Sequence, residues 1–503
     1  MYPWVALSLL ALSAHATSID RLTRLEKRAV SAAQIRAELG QQLSANAVVI
    51  DADHGDFERA TLRWQEYTKP KFVSVVEVAT EEDVVKTVAY ANKNSIPILA
   101  KNGGHGSIRG LGDVKDGIQI TLARLNGIKI HDNNTVTVQG GALTYEVRDA
   151  LWKEKKQTTT GVCECTGFLG PALGGGHGFT QGLYGLAIDN FISARVLLGN
   201  GTLVNVSENE HADLWWGLRG AGASFGIVTE VDYKVYDVPE GLDSWYYETW
   251  DFDQTVLEDV FEQHNVYLDN MPAGAVLYSM YYRNPAFDAT SAVIRVGAMY
   301  NGPKSAADSL FEPFRALGPL ATDAGSTTYN LLPTVTGANI DGPSCQYGGN
   351  RVGGGVYLTR YNTDSQREAY ELFNETTAAI PAFSGSAVLF DGFSIEGVSK
   401  IPVDSTAMPW RNHQILLTSV ISYEPNKTLD QAAEKLSSDV RDILQRTSGH
   451  DEMRTYINYA FGNETFPELC GSEQRVARLT GLKREYDPQN VFRFFGPPGG
   501  LAM

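Results

Sequence analysis

Positive charge is scarce in this chain. Its 503 residues hold 42 Lys and Arg against 59 Asp and Glu, a net charge of −17. A surface that negative repels nucleic acid phosphates and anionic lipid, so neither is an expected partner. Metal-ligand spacing is also missing. The nine histidines and four cysteines form no His-x-x-x-His or Cys-x-x-Cys pair, so no metal site is expected. The Gly-x-Gly-x-x-Gly fingerprint of a Rossmann unit is absent, with no acidic residue at the matching distance beyond a strand. Long apolar runs are absent too. Trp4 to Leu12 is too short to span a bilayer, and no later run is long enough.

That short run has another reading. It precedes Ala14-His15-Ala16, which fits the small-x-small rule of a cleavage site, so residues 1–16 read as a secretory signal peptide. A buried N-terminal helix is the alternative. Six Asn-x-Ser/Thr sequons, at Asn133, Asn200, Asn205, Asn374, Asn426 and Asn463, agree with secretion and with N-linked glycans as partners. The four cysteines, Cys163, Cys165, Cys345 and Cys470, allow three pairings in an oxidising compartment. A bond between Cys163 and Cys165 would close a very tight ring and is not expected.

Glycine, by contrast, is plentiful, with 49 residues gathered in short runs. After a polar, partly helical stretch over 17–66, strands and helices alternate. Phe72 to Val78 reads as a strand. Thr80 before Glu81, Glu82 and Asp83 reads as a helix start, with Val84, Val85, Val88 and Ala91 as its apolar face. Asn200 and Gly201 between two apolar runs predict a hairpin. Residues 227–235 alternate as a strand with one wet face. Beyond Pro239 the strands lengthen and aromatics increase, as at 292–299, 353–361 and 414–423, with a helix over 430–445. That pattern predicts an antiparallel sheet with helices packed on it.

Two glycine-rich segments carry chemistry. Lys101-Asn-Gly-Gly-His-Gly-Ser107 follows a strand, and its backbone N–H groups suit a phosphate. Gly174-Gly175-Gly176-His177-Gly178 offers a nearly side-chain-free surface that a flat ligand can approach.

Further motifs occur in order: Tyr184-Gly-Leu-Ala-Ile-Asp189-Asn190, Asp213-Leu-Trp-Trp-Gly-Leu-Arg-Gly220, Phe225-Gly226-Ile227-Val228-Thr229 and Tyr486-Asp-Pro-Gln-Asn490-Val-Phe-Arg-Phe494. Together these segments resemble the berberine-bridge-enzyme-like branch of the vanillyl-alcohol-oxidase superfamily, in its secreted fungal form. The match covers residues 67–238 and 455–496. The resemblance implies an α+β protein with five parts. They are the signal peptide 1–16, an N-terminal helical segment 17–66, a two-subdomain PCMH-type FAD domain 67–238, a substrate domain 239–454, and a segment 455–496 that returns to the FAD domain. Through the resemblance, Lys101, Asn102, Gly103, Gly104, Gly106, Ser107, Gly174, Gly175, Gly176, Gly178, Asp189, Gly226, Ile227, Val228 and Asn490 are expected around FAD. His105 falls on the family's covalent histidine.

Some members bond a cysteine to flavin C6 as well. Cys163 has that spacing, eleven residues before Gly174, although Pro171 stands where such members often carry histidine. Cys165 is its neighbour, and a buried free thiol or a disulfide partner is the bland alternative for Cys163. For the catalytic base, the stretch from Lys400 to Arg411 lacks the glutamate of the plant alkaloid-forming members. Tyr456-Ile-Asn458-Tyr459 matches the tyrosine segment of the sugar and alcohol oxidases, with Phe461 in place of the usual acid. Simple packing on the flavin is the alternative role for these tyrosines. In an extended segment Tyr456 and Asn458 share one face and Tyr459 takes the other, so one tyrosine is expected to face substrate. The expected function is secreted oxidation of a small organic molecule, with dioxygen as acceptor. A dehydrogenase with another acceptor, or a flavin-scaffold binding protein, are the rivals.

Overall fold

A computed structural model describes residues 30–495. The expected signal peptide lies outside the described residues. Three sheets organise the chain. The first contains β1 (Val48–Asp51), β2 (Phe72–Glu77), β3 (Ile98–Lys101) and β4 (Gly117–Thr121), in the order β1-β2-β4-β3. β2 and β3 run parallel to β4, and β1 is antiparallel on the edge. The N-terminal segment is thus not helical throughout. It carries helices Ala32–Glu38 and Phe57–Thr61, and between them an edge strand of this sheet. The helix Glu81–Asn94 that joins β2 to β3 starts as the sequence predicts. Thr80 Oγ1 accepts from Asp83 N at 3.2 Å, and Asp83 Oδ2 accepts from Thr80 N at 3.0 Å.

The second sheet is antiparallel. β5 (Ile128–His131), β6 (Thr135–Gln139), β8 (Phe191–Leu198), β9 (Leu203–Ser207) and β10 (Gly226–Lys234) lie in the order β5-β6-β10-β8-β9. β7 (Lys156–Gln157) and β11 (Tyr236–Asp237) pair separately. The predicted hairpin joins β8 to β9. In β10 the expected alternation holds from Thr229 onward, but Val228 is buried as well as Ile227. That end of the strand abuts the cavity described below.

The third sheet has seven antiparallel strands: β12 (Trp245–Phe252), β13 (Ala275–Tyr282), β14 (Val293–Tyr300), β15 (Ala321–Thr327), β16 (Asn350–Leu358), β17 (Ala387–Phe393) and β18 (Ile415–Tyr423). Their order is β15-β12-β14-β13-β17-β18-β16. Residues alternate between its faces. One face packs Trp250, Tyr281, Val296 and Phe390 against helices Leu257–Asp269, Lys304–Arg315, Thr363–Ala379 and Asp430–Gln445. The other turns Val276, Tyr278, Met299 and Phe393 toward Phe179 of the N-terminal half. The tail returns to that half. Helix Glu473–Tyr486 packs Leu479 and Leu482 with Trp215 and Trp216. In its last turn, fully buried Lys483 bonds Asp487 at 2.7 Å, and Asp487 accepts from Val491 N and Phe492 N, both at 2.9 Å. Among the described residues no helix is long and apolar enough to cross a membrane.

Candidate active site

A cavity of about 340 Å³ runs between the first two sheets and out beneath the third. Its walls bring together Lys101 to Gly106, the loop 161–163, the start of β10 at Gly226, Ile227 and Val228, and Tyr456, Asn458 and Tyr459 of the tail. Thirteen of the residues singled out in sequence therefore share one wall system: Lys101, Asn102, Gly103, Gly104, His105, Gly106, Cys163, Gly226, Ile227, Val228, Tyr456, Asn458 and Tyr459.

Each side chain here is held by identifiable bonds. Lys101 Nζ turns away from the cavity and donates to the carbonyls of Ala60 (2.9 Å) and Leu62 (2.8 Å). Burial, with Arg63 nearby, lowers its ammonium to about 8. Asn102 Nδ2 donates to the carbonyls of Gly140 and Ala142, both at 2.9 Å. His105 Nε2 lies 3.0 Å from the Ser344 carbonyl, and burial lowers the ring to about 4, so the imidazole is neutral. Cys163 is half-buried, and burial reinforced by the charge of Asp391 pushes its thiol up to about 12. Cys165 is consumed in a disulfide with Cys345, and Cys470 belongs to the core around Trp215. Of the four cysteines, Cys163 alone lines the cavity.

The tail is bent, not extended. Ile457–Tyr459 forms one 3-10 turn, which places both tyrosines and Asn458 on the cavity wall. Their bonding differs. Tyr456 Oη accepts from Gly176 N at 3.0 Å and from Asn458 Nδ2 at 2.7 Å. Tyr459 Oη donates to Asp391 Oδ2 at 3.0 Å. Burial raises the Asp391 carboxyl to about 6, against the Tyr459 hydrogen bond that lowers it. Burial and the Asp391 charge hold the Tyr459 hydroxyl well above its ordinary range.

Seven predicted residues sit elsewhere. Ser107, Gly174, Gly175, Gly176, Gly178, Asp189 and Asn490 do not line the cavity. Gly174 and Gly175 pack against the tail. A Cβ on Gly174 would stand 2.4 Å from Asn458 Oδ1, and Gly176, at φ +80°, turns its N–H to Tyr456. Asp189 makes a buried two-bond ion pair with Arg411, at 2.9 and 2.8 Å. Asn490 occupies a left-handed turn after the last helix (φ 51°).

Other residues of the site escaped the sequence reading. Trp64 stacks on His105, and Tyr347 meets that ring edge-on. His177 lines the cavity, donating from Nδ1 to Gln181 Oε1 (2.8 Å) and accepting from Tyr357 Oη (2.9 Å). Asp391 left one trace in the sequence, as a lone acid within the apolar strand Ala387–Phe393.

Two buried polar atoms on this wall, Asn102 Oδ1 and Arg63 Nε, have no hydrogen-bond partner. A buried guanidinium and an open acceptor suit a polar cofactor that carries an anion. An FAD binding domain family model matches residues 73–207. FAD-linked oxidoreductase chry5 of Gibberella zeae is 39% identical over 478 residues, covering 91% of this chain and 94% of that protein. The chain belongs to the FAD-linked oxidoreductases. A second such oxidoreductase, anuG of Penicillium roqueforti, is 38% identical and covers 95% of this chain and 94% of its own. Among solved structures, the fold of this FAD-linked oxidoreductase is similar to glucooligosaccharide oxidase of Acremonium strictum. The TM-score is 0.79 at 20% identity, over 93% of this chain and 98% of that one. It is also similar to the Physcomitrella patens berberine-bridge-enzyme-like protein 1, with a TM-score of 0.78 at 21% identity, over 92% and 98%.

Proposed function

We propose that this oxidoreductase is a secreted oxidase. In this reading it binds FAD through His105 and removes a hydride from a hydroxyl-bearing small molecule, such as a secondary-metabolite intermediate, an alcohol or a sugar. When bound, FAD supplies the acceptor for that hydride and passes both electrons to dioxygen. The supporting observation is Tyr459 on the cavity wall, with its hydroxyl bonded to buried Asp391. Tyr459 Oη takes the substrate hydroxyl proton while its own proton moves to Asp391 Oδ2. A carboxyl at about 6 is ionised at neutral pH and accepts it. Asp391 thereby fills the role for which the sequence offered no acid next to Tyr459.

Neutral His105 suits attachment, since its unprotonated nitrogen is a nucleophile. That Cys163 is a free thiol on the wall supports a second bond there. The glucooligosaccharide oxidase noted above holds FAD in both ways, as 6-S-cysteinyl, 8α-N1-histidyl FAD. The Cys165–Cys345 disulfide supports an oxidising compartment. Asn133, Asn200, Asn205, Asn426 and Asn463 are exposed and open to glycan transfer. Asn374 is half-buried, with its Oδ1 accepting from Arg283 and from Ala292 N.

Anaerobic stopped-flow reduction tests the tyrosine assignment. Tyr459→Phe is expected to slow flavin reduction by about 10²–10⁴-fold with an unchanged flavin spectrum. Tyr456→Phe, which loses only an acceptor for Gly176 and Asn458, is expected to stay within a few fold of wild type. A Tyr459→Phe enzyme that reduces at the wild-type rate would place the base elsewhere.

A further inference from the structure

Three segments far apart in sequence close around His105. From the first, the Trp64 ring stacks on the imidazole with centroids 4.3 Å apart and planes 21° from parallel. The second is the histidine's own loop, where Gly104 O accepts from Trp64 N at 3.2 Å. The third is residues 344–348, from the half built on the seven-stranded sheet. There the Ser344 carbonyl accepts two hydrogen bonds, one from His105 Nε2 (3.0 Å) and one from Trp64 Nε1 (2.9 Å). Tyr347 Oη donates to Gly103 O at 2.7 Å, and Gly348 N donates to Arg63 O at 3.1 Å.

The chemistry of this clasp is set by Ser344. A carbonyl accepts and cannot donate, so Nε2 carries the imidazole proton and the lone pair sits on Nδ1. The nucleophilic nitrogen is therefore chosen by a loop 239 residues away in sequence. That loop is one short 3-10 turn, Pro343–Cys345, where Ser344 N donates to Gly337 O at 3.3 Å and Cys345 N to Gly342 O at 3.0 Å. Its covalent tie is the disulfide from Cys345 to Cys165, which stands two residues beyond Cys163 in the loop that walls the same cavity.

We propose that the Cys165–Cys345 disulfide positions His105 for covalent attachment: by anchoring the Ser344 carbonyl it fixes the histidine tautomer, so that attachment follows disulfide closure. The proposal rests on the covalent reading given above. The bond formed joins His105 Nδ1 to the flavin 8-methyl carbon. The methyl group and Nε2 each release one proton, and the electron pair left on the ring passes with them to dioxygen, giving hydrogen peroxide. Cys165 and Cys345 touch none of the reacting atoms. They act through Ser344 and His105, as positioning residues. Without the tie the carbonyl drifts, both tautomers populate and the ring swings. Misplacement of that size slows a positioned reaction by tenfold or more, at about 10²-fold for 1 Å.

The test uses full-length protein as purified, with Cys165→Ser and Cys345→Ser combined. Two quantities are read by mass and absorbance. One is the share of His105 peptide carrying FAD, and the other is total flavin per folded chain, including flavin released by acid. A merely structural disulfide would lower both together. The expected result is at least a tenfold fall in the His105 adduct while total bound flavin stays near the wild-type value. A wild-type share of adduct in the variant overturns the proposal. No adduct in wild-type protein overturns the covalent reading itself, and the proposal with it. Should the double variant fail to fold, Tyr347→Phe decides with the disulfide intact. It frees the same loop from Gly103, and several-fold less adduct supports the clasp, whereas an unchanged share overturns it.

Discussion

Asp391 shows how one residue converts a packed surface into a reactive one. It stands on β17 beside Tyr278 of β13 and Leu416 of β18, its cross-strand partners. With few polar neighbours its carboxyl is held up at about 6, and Tyr459 is the hydrogen-bond donor that reaches it. A raised carboxyl accepts a proton only once ionised. Flavin reduction by a neutral alcohol should therefore rise about tenfold per pH unit below 6 and level off above it. Asp391→Asn should be slow at every pH, with that inflection gone. A flat wild-type profile between pH 5 and 8 would remove Asp391 from the proton path. The tyrosines were legible in the sequence because Tyr456-Ile-Asn458-Tyr459 is local. Asp391 was not, because the Tyr459 contact spans 68 residues and depends on strand register.

At the scale of elements, the Gly174–Gly178 segment and the tail are built as a unit with the loop 406–411. Gly175 lies against Met408 and Tyr456, and Arg411 reaches Asp189 just beyond the glycine run. Asp189 and Arg411 are each 1% exposed, so neither charge has water to fall back on. Asp189→Ala would leave the guanidinium buried with only Thr406 Oγ1 as a partner. The expected loss is about 3–5 kcal/mol of unfolding free energy, measured by urea titration of the holoenzyme. A double Asp189→Leu, Arg411→Met variant should recover much of it, since an apolar pair carries no desolvation penalty. A loss below about 1 kcal/mol for Asp189→Ala would contradict this account of the joint. Asp189 read in sequence as a cofactor residue because a motif gives position and not partner. Its partner lies 222 residues downstream.

Across the whole molecule, what the sequence shows clearly is what local physics dictates. The Thr80 cap, the hairpin at Asn200 and Gly201 and the helix Asp430–Gln445 follow from neighbouring residues alone. The division into strand–helix alternation before Pro239 and a long-stranded antiparallel sheet after it was legible for the same reason. What was hidden is what joins the two halves: Trp64 to Ser344 across 280 residues and Cys165 to Cys345 across 180. Such contacts leave no periodic trace, since each end is an ordinary loop residue until the fold brings them together. The architecture places a neutral histidine at one part of the cavity wall and, at another, a tyrosine backed by a carboxyl. The direct test is peptide mass mapping of acid-denatured, flavin-loaded protein. FAD should remain on the peptide that contains His105, and His105→Ala should lose that adduct, leaving acid-stable flavin only where Cys163 also holds it. Release of all flavin into the acid supernatant from wild-type protein would contradict the account.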